Sequence, residues 1–234
     1  MKNDLIDYSC SKPHHYNFIV CHKPSPCLNM FGDRCNVLYL SDCGVKGAID
    51  VSNGYHSSRY GELPYWSWIA QNIRPEDWVT LHHYRRKARN ILGQGVAAPI
   101  QFGGSMAQQL AYYHSDVLAQ AMLKTLTPVE QQMFCSLNFL YPYNIMELQA
   151  SFLQNMWLPY VMDKITKLEM VLGRDYKPDA SFFEPKPDKR VDEWYQNRIY
   201  AFALERYNTL FWEQNKNALN GFLTINLLEE NQKI

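Results

Sequence analysis

The chain has 234 residues, of which 47% are hydrophobic and 20% charged, with 23 Lys+Arg set against 23 Asp+Glu. That much apolar side chain excludes a disordered chain, and the length suits one domain with a real core. Zero net charge excludes a global field that would hold the chain on a phosphate backbone or an anionic membrane; only local basic patches remain.

In chain order, Asn17-Phe18-Ile19-Val20-Cys21 reads as a buried strand closed by His22-Lys23-Pro24-Ser25-Pro26, because prolines cannot continue a ladder. Asn36-Val37-Leu38-Tyr39-Leu40 is a second such run. From Ser58 to Ile73 the apolar residues Leu63, Trp66, Ile69, Ala70 and Ile73 fall at helical spacing, with Pro64 tolerated in the first turn. Trp78-Val79-Thr80-Leu81 predicts a third strand that runs straight into His82-His83-Tyr84-Arg85-Arg86-Lys87. Residues 93–104 read as a glycine-containing connector. Residues 105–124, 128–139, 149–172 and 194–214 carry helical patterns, and Leu219 to Leu228 packs as a last element. Residues 174–193, rich in proline and charge, read as a solvated loop or lid.

Strand–helix–strand alternation followed by helices predicts an α/β fold in one domain: an α/β part over 17–104 and a mainly helical part over 105–234. No window reaches the roughly 18–20 apolar residues of a membrane span, and no signal-like segment precedes the first strand, so the expectation is a soluble, cytoplasmic protein.

The strongest local feature is His83-Tyr84-Arg85-Arg86 directly after a strand. In open α/β sheets ligands bind beyond the carboxyl ends of strands, and guanidinium forks fit phosphate oxygens bidentately. A solvated basic stretch with Lys87 and Arg89 is the alternative. Glu62 either complements a helix N-terminus or orients a ligand hydroxyl or a neighbouring Arg. Trp66 and Trp68 read as part core, part exposed. Asp50 is a turn residue or a contact to a ribose or sugar hydroxyl, and Asn144 is an N-cap or a polar ligand contact. Arg198 and Glu205 lie seven apart and share a helix face, which suits an ion pair or a general base.

Five of the six cysteines precede residue 44, but no C-x-x-C occurs, so a mixed zinc site of Cys21, His22, Cys27 and Cys35 stands behind buried, reduced thiols. Phosphate-loop, dinucleotide and hydrolase-elbow signatures are absent, and so is any Asp-x-Asp.

Together these segments resemble a bacterial family of domains of unknown function, DUF4422, found in capsular and exopolysaccharide clusters and considered glycosyltransferase-like. The matching residues are His22-Lys23-Pro24, the Tyr60-Gly61-Glu62-Leu63-Pro64-Tyr65-Trp66-Ser67-Trp68 block and His83-Tyr84-Arg85-Arg86. Further along they are Tyr112 or Tyr113 with His114, Asn144-Ile145-Met146, and Arg198 with Ala201-Phe202 and Glu205-Arg206-Tyr207. The likeness covers roughly residues 17–212, with Pro64, Ile145 and Ala201 departing from the pattern.

The resemblance implies a GT-A-like fold, with a nucleotide-binding part over 17–104, an acceptor-side part over 105–234, and sugar transfer from a nucleotide-sugar donor to a hydroxyl. Donor contacts would be Arg85, Arg86, Tyr84, His22, Lys23, Asp50 and Arg198; acceptor contacts would be His114, Asn144 and Trp66. Glu205, Glu62 and His83 are the catalytic candidates. The slot where metal-dependent relatives carry Asp-x-Asp holds two arginines instead, so the expectation is diphosphate stabilisation by Arg85 and Arg86 with no required cofactor. The acceptor is a saccharide by default. Alternatives are a hydroxymethylated base in DNA, a non-catalytic saccharide-binding scaffold, and a zinc hydrolase built on the cysteine-rich start.

Overall fold

A computed structural model describes residues 12–21, 25–31, 35–39, 49–51 and 57–228. The predicted contacts His22 and Lys23 lie outside the described residues, as does the side chain of Asp50.

Three parallel strands, β1 (His15–Cys21), β2 (Cys35–Tyr39) and β3 (Ile49–Asp50), open the fold, and β1 also pairs in parallel with β4 (Trp78–His83). Phe18 to Cys21 and Val79 to His83 are buried throughout, as expected of strands covered on both faces. Because β1 has β2 on one side and β4 on the other, the strand order reverses at β1/β4, where ligand crevices form in open sheets.

Between β3 and β4 the helix expected over 58–73 is split into α1 (Ser57–Tyr60) and α2 (Leu63–Asn72). Gly61 makes the break in the left-handed region, φ +58°. A Cβ there would sit 2.9 Å from the Ala201 Cβ, so glycine lets this turn press onto the C-terminal helix.

Beyond β4 the sheet changes character. A two-residue turn, Tyr84-Arg85, leads to antiparallel β5 (Arg86–Arg89). Then come β6 (Gly95–Ala97), β7 (Ile100–Gln101), β8 (Phe139–Leu140), β9 (Met146–Gln149) and β10 (Gly221–Leu227). Pairings β4–β5–β10–β6–β9–β4 close a ring of strands, while β7 and β8 pair separately. The connector expected at 93–104 therefore contains strands, and β9 runs up to the start of the helix expected from 149. Strands of two to four residues are too short to show a period.

The helical half starts as α3 (Met106–Tyr113) and α4 (Asp116–Leu123), not one helix over 105–124. Ser115 ends the first by capping the second, its hydroxyl accepting from the Val117 N–H. A Thr127/Glu130 capping box starts α5 (Pro128–Ser136). The long helix expected at 149–172 is present as α6 (Ala150–Phe152), a π-turn (Leu153–Trp157) and α7 (Leu158–Leu172). The wide turn lies just ahead of Pro159, which lacks an N–H and crowds the preceding turn.

The last helices are α8 (Glu193–Gln196) and α9 (Ile199–Gln214). From Ile199 to Trp212 every residue of α9 except Glu205 is buried, so this helix runs through the core and opens at one place. No helix among the described residues is long and apolar enough to cross a membrane.

Candidate active site

The one gap in the burial of α9 faces the carboxyl end of β4 across a cavity of about 250 Å³. Side-chain alternation along β4 sends neighbouring histidines to different places. His82 is neutralised in a polar network: its Nδ1 accepts the Ala88 N–H at 3.1 Å, and its Nε2 lies 3.1 Å from Asn17 Oδ1. His83 lines the cavity, its Nδ1 accepting the Arg85 N–H at 3.3 Å. The tight turn after it delivers both arginines to one wall. Arg85 lies over the Tyr84 ring at 5.2 Å, and Arg86 lies over the Tyr143 ring at 4.0 Å. Each ring fixes a guanidinium without neutralising it.

The opposite wall holds two carboxylates. The Gly61 turn brings Glu62 against α9, beside Ala201 and Arg198. Burial pushes the Glu62 carboxyl above the ordinary range, opposed by the Arg198 charge and by a hydrogen bond from Asn144 Nδ2 at 3.0 Å. Glu205 keeps 23% of its side chain exposed. Its Oε1 accepts the Tyr143 N–H at 2.9 Å, and its Oε2 lies 3.5 Å from Arg206, leaving that oxygen room for another donor. Tyr143 and Asn144 are consecutive non-glycine residues at positive φ, +66° and +48°. Such backbone costs on the order of 1–3 kcal/mol per residue and persists only where surrounding contacts enforce it. Here it aims one N–H and one amide at the two carboxylates.

The mouth comes from the 174–193 segment, expected to be a solvated loop or lid. That segment is anchored instead: Phe182 is fully buried, and Lys189 Nζ donates to the His114 and Ser181 carbonyls at 3.2 and 3.0 Å. Anchored so, it supplies Arg190 to the rim, next to Trp194 and Tyr195 of α8.

Seven predicted residues thus converge on the cavity: Glu62, His83, Tyr84, Arg85, Arg86, Arg198 and Glu205. The three expected acceptor contacts do not line it. Trp66 is fully buried, its indole N–H donating to the Asn144 carbonyl at 3.1 Å, so no face remains for an acceptor. Asn144 is fully buried and serves Glu62. His114 is buried behind the wall, stacked on Phe202 at 3.6 Å and paired with Gln196 at 3.1 Å. Burial drives its imidazole well below the ordinary histidine range.

Sequence reasoning missed Tyr143, Arg190, Trp194 and Tyr195. Positions 194, 198, 201 and 205 stand at helical intervals, and that stripe was the available signal for Trp194.

The set facing the cavity is four guanidiniums and two carboxylates, an excess of positive groups that suits an anion. Among the described residues no group of three or more His, Cys, Asp or Glu is placed to hold a metal. Cys21 and Cys27 are buried thiols, Cys21 within a small apolar cluster with Ile19, Phe31 and Tyr84.

No protein-family model matches the chain, DUF4422 included, and no curated protein matches it. Among solved structures it is similar to the apo structure of WbbM, a bifunctional glycosyltransferase, with a TM-score of 0.64 and 14% identity. The likeness covers 92% of this chain and 45% of that one, so the chain spans less than half of the neighbour's length. The mixed α/β architecture, with its cavity at the carboxyl end of β4, is thereby similar in fold to a glycosyltransferase.

Proposed function

We propose that the chain is a glycosyltransferase that moves a sugar from a nucleotide-sugar to an acceptor hydroxyl, with arginines in place of a metal at the diphosphate. The observation that carries this reading is the meeting, in one cavity, of Arg85 and Arg86 at a strand end with Glu205 on the facing helix. The fold likeness to a glycosyltransferase supports it.

The chemistry needs an anion site and a base. The diphosphate gains negative charge as it leaves, and preorganised guanidiniums aimed at it stabilise that charge more in the transition state than in the ground state. In an inverting displacement Glu205 Oε2 takes the acceptor hydroxyl proton, and the oxygen bonds to the anomeric carbon. The bond from that carbon to the phosphate oxygen breaks, its electron pair departing with the nucleoside diphosphate. Glu62, buried and held by Asn144, is less accessible to an acceptor than the partly exposed Glu205; its role is to bind a sugar hydroxyl or hold the Gly61 turn. His83 braces the Arg85–Arg86 turn. A saccharide acceptor is the reading the enclosed cavity favours over duplex DNA, which needs an extended basic stripe.

A thermal-shift panel of nucleotide-sugars tests the proposal. One member at a hundredfold excess over its Kd should add about 2.7 kcal/mol of stability; no shift with any member overturns it.

A further inference from the structure

Resting on the glycosyltransferase reading, we infer that Trp194, Arg190 and Arg198 form an acceptor subsite for an anionic saccharide. If Glu205 takes the acceptor proton, the acceptor body must lie along the helical wall, because the strand-end wall holds the diphosphate. Moving outward from Glu205, that wall presents Phe202, Arg198, Trp194 and then Arg190 at the rim.

Trp194 is a large aromatic ring left 54% exposed at the mouth of a cavity, although Trp66, Trp68, Trp157 and Trp212 are buried and Trp78 is partly so. An exposed indole offers a flat apolar face to the apolar face of a pyranose. Both flanking guanidiniums lie against it, Arg190 at 5.6 Å and Arg198 at 5.7 Å from the ring centroid. Among the described residues the Arg198 guanidinium forms no ion pair and no hydrogen bond. Its charge also reaches the buried Glu62 carboxyl. Arg190 pairs with Asp192, yet both are exposed, and such pairs hold weakly against competing anions. Arg190, held over the Trp194 and Tyr195 rings and paired only with exposed Asp192, is poised to receive an anion, and Arg198, over the same Trp194 ring and beside Glu62, adds a second positive group.

The wall is also stiff enough to be specific. Gln196 Nε2 donates to the Tyr113 carbonyl at 3.2 Å and also to the Arg190 carbonyl, and its Oε1 pairs with His114. Trp194 and Arg190 are thus tied to the core through a buried amide and are not left on a swinging loop.

The test uses methyl glucuronide, methyl glucoside and methyl glucoside 6-phosphate, titrated by NMR into the chain with and without UDP, GDP, CDP or TDP. Trp194→Ala and Arg190→Gln serve as variants, both at exposed positions, with circular dichroism to verify folding. At least one anionic glycoside should bind tenfold or more tightly than methyl glucoside, the carboxylate and phosphate arms telling the two anions apart. Each variant should lose tenfold or more of that affinity while its nucleoside diphosphate affinity stays within twofold. Equal binding of charged and neutral glycosides, or binding of none, overturns the subsite. A tenfold loss of nucleotide affinity in Arg190→Gln also overturns it by giving these residues to the donor. Failure of the wild-type chain to bind any nucleoside diphosphate overturns the glycosyltransferase reading instead, and the nucleotide-free arm still reads the subsite.

Discussion

Asn144 donates its side-chain amide to Glu62 at 3.0 Å from a left-handed backbone position, one residue after Tyr143 pins Glu205 through its N–H at 2.9 Å. One two-residue strap therefore positions both carboxylates of the cavity, and its own carbonyl is held by the Trp66 indole. Removing the amide leaves Glu62 buried without that donor, a loss of about 1–3 kcal/mol. Asn144→Gly should lose less than that, because glycine relieves the cost of positive φ while the donor is lost. Asn144→Ala should lose further stability, because alanine tolerates positive φ poorly. Urea unfolding of the two variants checks the order; equal stabilities would mean that the strap is not strained.

Glu205→Gln keeps the size and the Tyr143 hydrogen bond but removes the base. Turnover should fall on the order of 10²–10⁴-fold, the usual contribution of a positioned proton acceptor. Nucleoside diphosphate affinity should stay within about threefold, because Glu205 faces the acceptor. Calorimetry alongside a transfer assay separates the two effects, and lost nucleotide binding with unchanged turnover per bound complex would make Glu205 a donor ligand.

Gly61→Ala should destabilise the fold by about 2 kcal/mol, combining the strain of φ +58° with the 2.9 Å approach to Ala201. A paired Ala201→Gly substitution removes the contact but not the backbone strain, so the double variant should recover part of the loss. No recovery would show that the turn does not press on α9.

Much of this arrangement was legible in the chain. His83 to Arg86 reads as a strand end because Trp78 to Leu81 is apolar and the cationic run follows without a break. Arg198 and Glu205 share a face by spacing alone. The strap was hard to read: asparagine favours the left-handed region and so hints at Asn144, but a tyrosine gives no sign of the positive φ at Tyr143. Arg190 was diluted by the charges around it, and what lifts it to the rim is the burial of Phe182 and Lys189, a tertiary effect. Trp66 carried the opposite error. An aromatic-rich block reads equally as ligand platform or core, and contacts with Trp157 and Asn144 decide for core.

Acid should weaken the fold through His82. Burial, with smaller contributions from Lys87 and His15, lowers its pKa to about 4 from 6.5. Between these values the unfolded chain binds a proton that the folded chain does not, so stability is full above about pH 6.5 and falls as pH drops toward 4. His82 alone should remove about 2 kcal/mol between pH 7.5 and 5. Buried His114 acts in the same direction. Denaturant unfolding at the two pH values should give a smaller difference for His82→Gln than for wild type by about that amount; an unchanged difference would mean that His82 titrates normally in the fold.

The proposed function requires Arg85 and Arg86 to hold the donor's diphosphate. Calorimetric titration of the responsive nucleoside diphosphate into wild type and Arg85→Gln/Arg86→Gln, in excess chelator, measures it directly. Each charged hydrogen bond lost should cost about 1.5–3 kcal/mol, so the double variant should bind at least a hundredfold more weakly while wild type binds fully without metal. Equal affinity of the two proteins, or wild-type binding that disappears in chelator, would contradict the account.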